Sequence, residues 1–376
     1  MLSLYIHVPF CNRKCPYCGF YSTRYSLQSA DNYVVALGKE ALRYKDDFSE
    51  QVFQTIYIGG GTPTVLSHEQ SFGIIKVIQE HFRQAEGAEF TVEANPNSAT
   101  MQSLSVWRSL GVNRLSLGIQ SFSDDVLHKL GRLHTGGQAV DSFRLSRSLG
   151  FDNIGIDLIY GVPGQTKAQW EVTIAMATQL APEHISLYSL SLDGESEFKR
   201  YADSGKFVLP DDEVTAEWYE YAVSVLRDAG YSRYELSNFS LPGRECRHNM
   251  NYWEQGEYLG LGPSAASFIS RRRFHTVSDH QEYARRLACG QSVVEESETL
   301  TREQSAYERL LLGLRTAHGV DLPRFEREFG DSIFNRLLVT LGPLSDAGLL
   351  LIQNGHVSLT DRGILLCNEV LTRMSV

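Results

Sequence analysis

The chain has no apolar run approaching the roughly 20 residues that a membrane-spanning helix needs, so it is not expected to be an integral membrane protein. It has no basic excess: 35 Lys and Arg stand against 45 Asp and Glu, a formal net charge of −10 that disfavours nucleic acid as a partner. No internal repeat and no low-complexity tract is present. Nor is there a charged-then-apolar leader or a lipidation motif ahead of Leu2, and a cytoplasmic location is the expectation. Cysteine is scarce, and three of the six, Cys246, Cys289 and Cys367, are scattered singly and read as small buried hydrophobes. What remains is an ordinary globular composition, 42% hydrophobic and 21% charged, in 376 residues that can fold as more than one domain.

The other three cysteines, Cys11, Cys15 and Cys18, stand in the spacing C-x3-C-x2-C. An apolar segment, Leu2–Phe10, precedes them, and Pro9, Pro16 and Gly19 break regular structure around them, so the thiols lie on a loop leaving a strand. The odd count and the lack of a secretory signal argue against disulfides. Zinc would want a fourth ligand, and only His7 is near. A [4Fe-4S] cluster takes one thiolate per iron, so three leave one iron open for chemistry. On spacing alone both metals stay open, with the cluster favoured.

Six strand-like segments alternate with helix-like ones over about the first 230 residues: Leu2–Phe10, Thr55–Gly61, Glu89–Asn95, Arg114–Ser121, Asn153–Gly161 and His184–Leu192. That alternation predicts an α/β fold with a parallel sheet, and six units instead of eight suggest a partial (β/α)6 TIM-like barrel, open on one side. Barrel chemistry sits at the C-terminal ends of strands, where the cysteine loop falls. We read residues 1–230 as the barrel and 231–300 as an extension and connection. Residues 301–376 read as a small winged-helix-like domain, with three helices and a hairpin turning at Asn354-Gly355. Eight Arg, no Lys and nine acidic residues in this last segment argue for a packing role, not DNA binding.

Gly59-Gly60-Gly61-Thr62-Pro63 ends the second strand, and three glycines at a catalytic strand end exceed what a turn needs. Glu93 ends the third strand, Gln120 the fourth, Asp157 lies in the fifth, and Arg132 follows the fourth. Any one of these is equally readable as a satisfied core group. Four at one mouth supply acceptors for ribose hydroxyls and a cation for a carboxylate.

The cysteine spacing and glycine run together resemble the radical S-adenosylmethionine (SAM) superfamily. The resemblance implies that an open iron binds the amino and carboxylate groups of SAM, whose reductive cleavage gives a 5'-deoxyadenosyl radical. It also implies that Gly60, Gly61 and Thr62 hold the SAM amino group. Within the superfamily the chain is similar to the oxygen-independent coproporphyrinogen oxidase group. That likeness implies that Tyr5, Gly60 and Glu93 contact one SAM, while Tyr17, Gln120, Arg132 and Asp157 face a second SAM or the substrate.

Those dehydrogenases carry a fourth cysteine where this chain has Phe20, and an extension before the first strand. Both departures resemble the HemW-type heme chaperones, which share an H-N-x-x-Y-W motif, here His248–Trp253. The resemblance implies heme binding through His248, Tyr252 and Trp253, and delivery of heme to respiratory cytochromes at the membrane. An imidazole is a good heme ligand, and Tyr and Trp offer flat apolar surface, although a lone His is more often a satisfied core group. Cys246, Arg247 and the Arg271-Arg272-Arg273 run are weaker candidates, the last reading best as a solvated hairpin edge. His7, Tyr21 and Tyr25 read as shell residues around the thiols. The alternative function is SAM-dependent coproporphyrinogen decarboxylation; a tRNA- or protein-modifying radical enzyme is disfavoured by charge.

Overall fold

The computed structural model describes residues 1–192 and 196–374. Six strands, β1 (Leu2–Val8), β2 (Val52–Gly60), β3 (Arg83–Ala94), β4 (Arg114–Gln120), β5 (Ile154–Tyr160) and β6 (His184–Ser189), pair in parallel in chain order. Helices follow them, among them α1 (Leu27–Tyr44), α2 (His68–His81), α3 (Met101–Ser109), α4 (Gly136–Ser148) and α5 (Lys167–Leu180). This is the partial (β/α)6 barrel expected from the alternation of strands and helices.

The helix starts are chemically specified. Ser67, Thr135 and Thr166 each cap a backbone N–H with their hydroxyl, while Gln70, Gln138 and Gln169 reach back to the cap's own N–H. These reciprocal capping boxes satisfy donors that a helix end would leave orphaned just above the strand ends.

Side chains alternate across the strands with period two. Leu4, Ile6, Ile56, Ile58, Val92, Leu115, Leu117, Ile156 and Leu187 join the apolar core. Their neighbours Ser3, Thr55, Tyr57, Glu93, Arg114, Ser116, Asp157 and Ser186 make polar contacts with one another across the strands. A parallel strand buried on both faces usually reads as a continuous apolar run. Here one face is polar, as a binding lumen requires.

Residues 231–300 do more than connect. β7 (Ser232–Arg233) and β8 (Asn238–Ser240) extend the sheet in antiparallel fashion beyond β6. At the opposite edge β9 (Glu257–Leu261) lies parallel to β1, followed by β10 (Ala266–Ile269), β11 (Arg272–Thr276) and β12 (Val294–Thr299), all antiparallel, to complete a 12-stranded sheet. The added strands pair the backbone edges that six βα units alone would leave open.

The C-terminal segment has its own apolar cluster, including Leu310, Phe325, Leu337 and Val357. Helices Arg302–Gly313, Leu322–Phe329 and Asp331–Asp346 pack with a three-stranded sheet whose hairpin turns at Asn354 (φ 52°) and Gly355 (φ 78°), giving the winged-helix-like form. Arg273, expected on a solvated edge, instead joins Glu308 of the first of these helices through two bonds of 2.9 and 2.7 Å. Cys246 and Cys367 are buried as expected, but Cys289, just past the helix His280–Ala288, is exposed. Among the described residues no helix is long and apolar enough to cross a membrane.

One buried carboxylate ties the edge strands to α1. Glu40 Oε2 accepts from Gly262 N at 2.8 Å and from the Tyr283 hydroxyl at 2.6 Å, while Oε1 is buried without a partner. Burial raises its pKa from 4.5 to about 7, against the lowering by those two bonds. A raised carboxyl pKa means the folded state holds the proton more tightly. Its contribution is therefore fully present below the unfolded value and is lost as pH rises through about 7. We predict that Glu40→Gln removes this component. In thermal unfolding from pH 4.5 to pH 8 the melting temperature of the variant should gain on the unsubstituted chain as pH rises; parallel profiles would refute it.

Candidate functional site

The loop after β1 carries the three thiols and is fastened at both ends. Thr23 N donates to Pro9 O at 2.7 Å and Tyr25 N to Cys11 O at 2.9 Å, making a short parallel pairing of Phe10–Cys11 with Thr23–Arg24. Cys18 N donates to Cys15 O at 3.1 Å, which turns the chain between the second and third thiols. All three cysteines are unpaired and partly buried, and burial pushes the Cys11 and Cys18 thiols up.

The end of β2 locks against this loop. Gly61 N donates to Val8 O and Thr62 N to Phe10 O, both at 2.7 Å. A Cβ at Gly61 would meet Phe10 O at 2.5 Å, and one at Gly60, where φ is +101°, would meet the His7 ring at 2.5 Å. Only glycine fits there. Gly59 makes room for Glu93: its Cβ would fall 2.8 Å from the Glu93 carboxyl carbon.

Glu93 accepts from the Tyr57 hydroxyl at 2.8 Å and from Gly60 N at 3.1 Å. Burial raises its pKa to about 7, opposed by the Tyr57 bond and reinforced by nearby Asp157. Asp157 is also raised, by burial first, although Ser116 donates to it at 3.2 Å. Tyr5 bonds to His7 Nδ1 at 3.1 Å, and His7 Nε2 donates to Tyr21 O at 3.0 Å. Gln120 closes the fourth strand with φ 70°, where the β4–β5 register shifts, and its Oε1 is buried without a partner. Arg132 NH1 donates to Cys15 Sγ at 3.5 Å, and NH2 to Asn95 Oδ1 and Gly118 O at 2.5 Å each; Nε is buried and unpartnered. The Tyr17 hydroxyl lies by Cys15 and Arg132.

The donor set suits a multi-iron cluster. Among the described residues no three His, Cys, Asp or Glu side chains converge to hold a single metal ion. Cys11, Cys15 and Cys18, all free thiols on one loop, could each give a thiolate to one iron of such a cluster. The glycine cradle, the open Arg132 Nε and the open Gln120 Oε1 suit a small zwitterion with hydroxyls.

The radical SAM superfamily model matches residues 5–177 and the HemN C-terminal domain model residues 300–366. The heme chaperone HemW of Bacillus subtilis is 37% identical over 371 residues, covering 98% of each chain. The chain belongs to the HemW family. The Escherichia coli heme chaperone HemW is 36% identical over 267 residues, 70% of this chain and 69% of its own. The solved structure of coproporphyrinogen III oxidase HemN from Escherichia coli, a radical SAM enzyme, superimposes with a TM-score of 0.87. It is 25% identical and covers 100% of this chain and 90% of its own.

The H-N-x-x-Y-W motif of this HemW-family chain lies at the opposite, N-terminal end of the lumen, on α6 (Arg247–Trp253). Glu89 of β3 anchors the start of α6, accepting from Arg247 N and His248 N at 3.0 Å each and from Cys246 Sγ at 3.6 Å. His248 is 1% exposed. Thr55 donates its hydroxyl proton to Ser3 and so accepts from His248 Nδ1 at 2.8 Å, leaving Nε2 to accept from the Tyr252 hydroxyl, also at 2.8 Å. Burial, with Arg114 nearby, lowers its pKa to about 3 and keeps the ring neutral. His248 therefore does not stand ready as an axial ligand, since both ring nitrogens are in use. The Cys246 thiol is likewise committed to Glu89, the Arg247 guanidinium donates to Gly87 O at 3.4 Å, and the Trp253 Nε1 is buried without a partner.

The sequence reading missed Asn95, which bonds both Thr62 and Arg132, and the Glu89–Arg114 floor beneath the lumen. A strictly alternating polar face along Glu89–Asn95 and Arg114–Gln120 was the available signal. From the floor geometry, His248→Ala strands Thr55 and Tyr252 in a buried site and opens a cavity. We expect it to cost roughly 2–5 kcal/mol in denaturant unfolding, with the thiol loop, which it does not touch, keeping its metal content. A loss below about 0.5 kcal/mol, the range of an inert surface change, would show that the floor does not depend on His248.

Proposed function

We propose that this chain is a heme chaperone built on a radical SAM scaffold: it holds a [4Fe-4S] cluster and SAM, binds heme, and passes heme to respiratory cytochromes at the membrane. The observation that carries the reading is the near-complete match to the Bacillus subtilis heme chaperone over 98% of both chains. Cys11, Cys15 and Cys18 are the cluster ligands in this account. A bound cluster with an open iron would supply the electron that cleaves SAM.

The chain's own residues bind and orient. The Gly60–Thr62 edge and Glu93 take the amino end and hydroxyls of SAM. Arg132 offers its free Nε to a carboxylate, and Gln120 and Asp157 face the lumen. Tyr5 and Tyr17 border that space from the first strand and the thiol loop. For heme, Trp253 and Tyr252 are the contacts we retain from the motif, with His248 available as a ligand only if it gives up Thr55 or Tyr252. The protein acts in the cytoplasm in this reading, a reducing compartment that suits thiolate ligation.

The second reading, oxidative decarboxylation of coproporphyrinogen, draws support from the superposition on HemN. Phe20 speaks against it. This residue stands where the dehydrogenases carry a fourth cysteine, and it is 68% exposed beside the thiols. The chain should bind heme with a shifted Soret band and release it to an apo-cytochrome acceptor, and it should leave coproporphyrinogen unconverted with SAM and reductant present. Conversion to protoporphyrinogen without heme binding would reverse the assignment.

A further inference from the structure

Between the thiol loop and the barrel wall, side chains form a closed hydrogen-bonded path from one cysteine to another. Thr62 Oγ1 lies 3.5 Å from Cys11 Sγ. Asn95 Nδ2 donates to Thr62 Oγ1 at 2.8 Å, and Asn95 Oδ1 accepts from Arg132 NH2 at 2.5 Å. Arg132 NH1 then lies 3.5 Å from Cys15 Sγ. The polarity follows from chemistry. A guanidinium only donates, so the Asn95 oxygen must face Arg132 and its amide nitrogen must face Thr62. Thr62 is thereby made an acceptor toward Asn95, and its own proton is left for Cys11, which as a thiolate can only accept.

Room for this amide is built in. Gly118 sits beneath it, where a Cβ would fall 2.9 Å from Asn95 Oδ1 and 3.5 Å from Arg132 NH2. Thr62 is 3% exposed, so its hydroxyl has no water to turn to. Asn95 touches neither sulfur itself.

We propose that Asn95 is a positioning residue that aims one donor at each of two cluster thiolates, Thr62 at Cys11 and Arg132 at Cys15, and so holds the cluster's reduction potential up. The inference rests on the cluster reading above. Hydrogen bonds and positive charge at the sulfurs stabilise the reduced, more negative cluster. Losing their aim moves the potential down. Asn95→Asp is the sharper change. A carboxylate still accepts from Arg132, but it also accepts the Thr62 proton, which leaves Cys11 without its donor and adds a negative charge.

The test is the midpoint potential of the full-length chain, reconstituted anaerobically and titrated with dithionite under electron paramagnetic resonance, alongside iron content. We expect Asn95→Ala and Asn95→Asp to retain iron and to shift to lower potential, the Asp variant further. Thr62→Val should lower the potential too, and because Asn95 acts on Cys11 through Thr62, the added effect of Asn95→Ala in that background should shrink. Potentials equal to that of the unsubstituted chain, or fully additive shifts, overturn the proposal while leaving the cluster reading intact. If Asn95→Ala loses iron, Thr62→Val carries the same test, and an unmoved potential there overturns it. Absence of iron from the unsubstituted chain overturns both readings together.

Discussion

A half-buried carboxylate, Glu93, organises the mouth of this barrel. Glu93 needs space, so Gly59 has no side chain; it needs a donor, so Gly60 turns its N–H inward at a φ of +101°; and Tyr57 supplies a second proton. A half-buried carboxylate held by only two neutral donors keeps a raised pKa, here about 7. Such a group is costly in an empty lumen and favourable when a cationic or hydroxyl-rich ligand fills it. The same glycine run that accommodates Glu93 bonds through Gly61 and Thr62 to Val8 and Phe10, which fixes where the thiol loop begins. Ligand pocket and cysteine loop are thus positioned by one piece of backbone.

The opposite end of the lumen is closed by polar chemistry of a different kind. Glu89 accepts from the His248 backbone, Thr55 accepts from the His248 ring, the Arg114 charge lies nearby, and α6 is pinned by its first residues and by its histidine ring. From there Tyr252 packs edge-on against Tyr258 at 4.6 Å between ring centres. Arg273, two strands further along the sheet, reaches Glu308 in the C-terminal segment. The His248–Trp253 motif therefore braces the barrel floor toward the C-terminal segment.

Much of this was legible in the residues. Alternating strand and helix patterns place all six central strands, and the paired apolar runs around Asn354-Gly355 mark the hairpin. The cysteine spacing and the glycine run locate the site at the strand ends. The rest depends on contacts that local pattern does not encode. β9 comes from residues 257–261 yet lies beside β1, and nothing in either segment names its neighbour. Cys289 looks like its buried fellows in sequence, but the helix end it follows faces solvent. His248 carries the residue type of a ligand; Tyr252 lies one helical turn away, but only the position of Thr55, distant in the chain, shows that both ring nitrogens are taken. Asn95 and Glu40 are ordinary polar residues until the tertiary structure supplies their partners.

The central claim is that Glu93 and its glycine edge form the pocket for SAM, next to but separate from the cluster ligands. Calorimetric titration of SAM into the anaerobically reconstituted chain and its Glu93→Ala variant tests this directly. The account predicts unchanged iron content and an affinity lower by about ten- to a hundredfold, the roughly 1.5–3 kcal/mol of a hydrogen bond to a charged group. Undiminished affinity in the variant would contradict it and place SAM elsewhere.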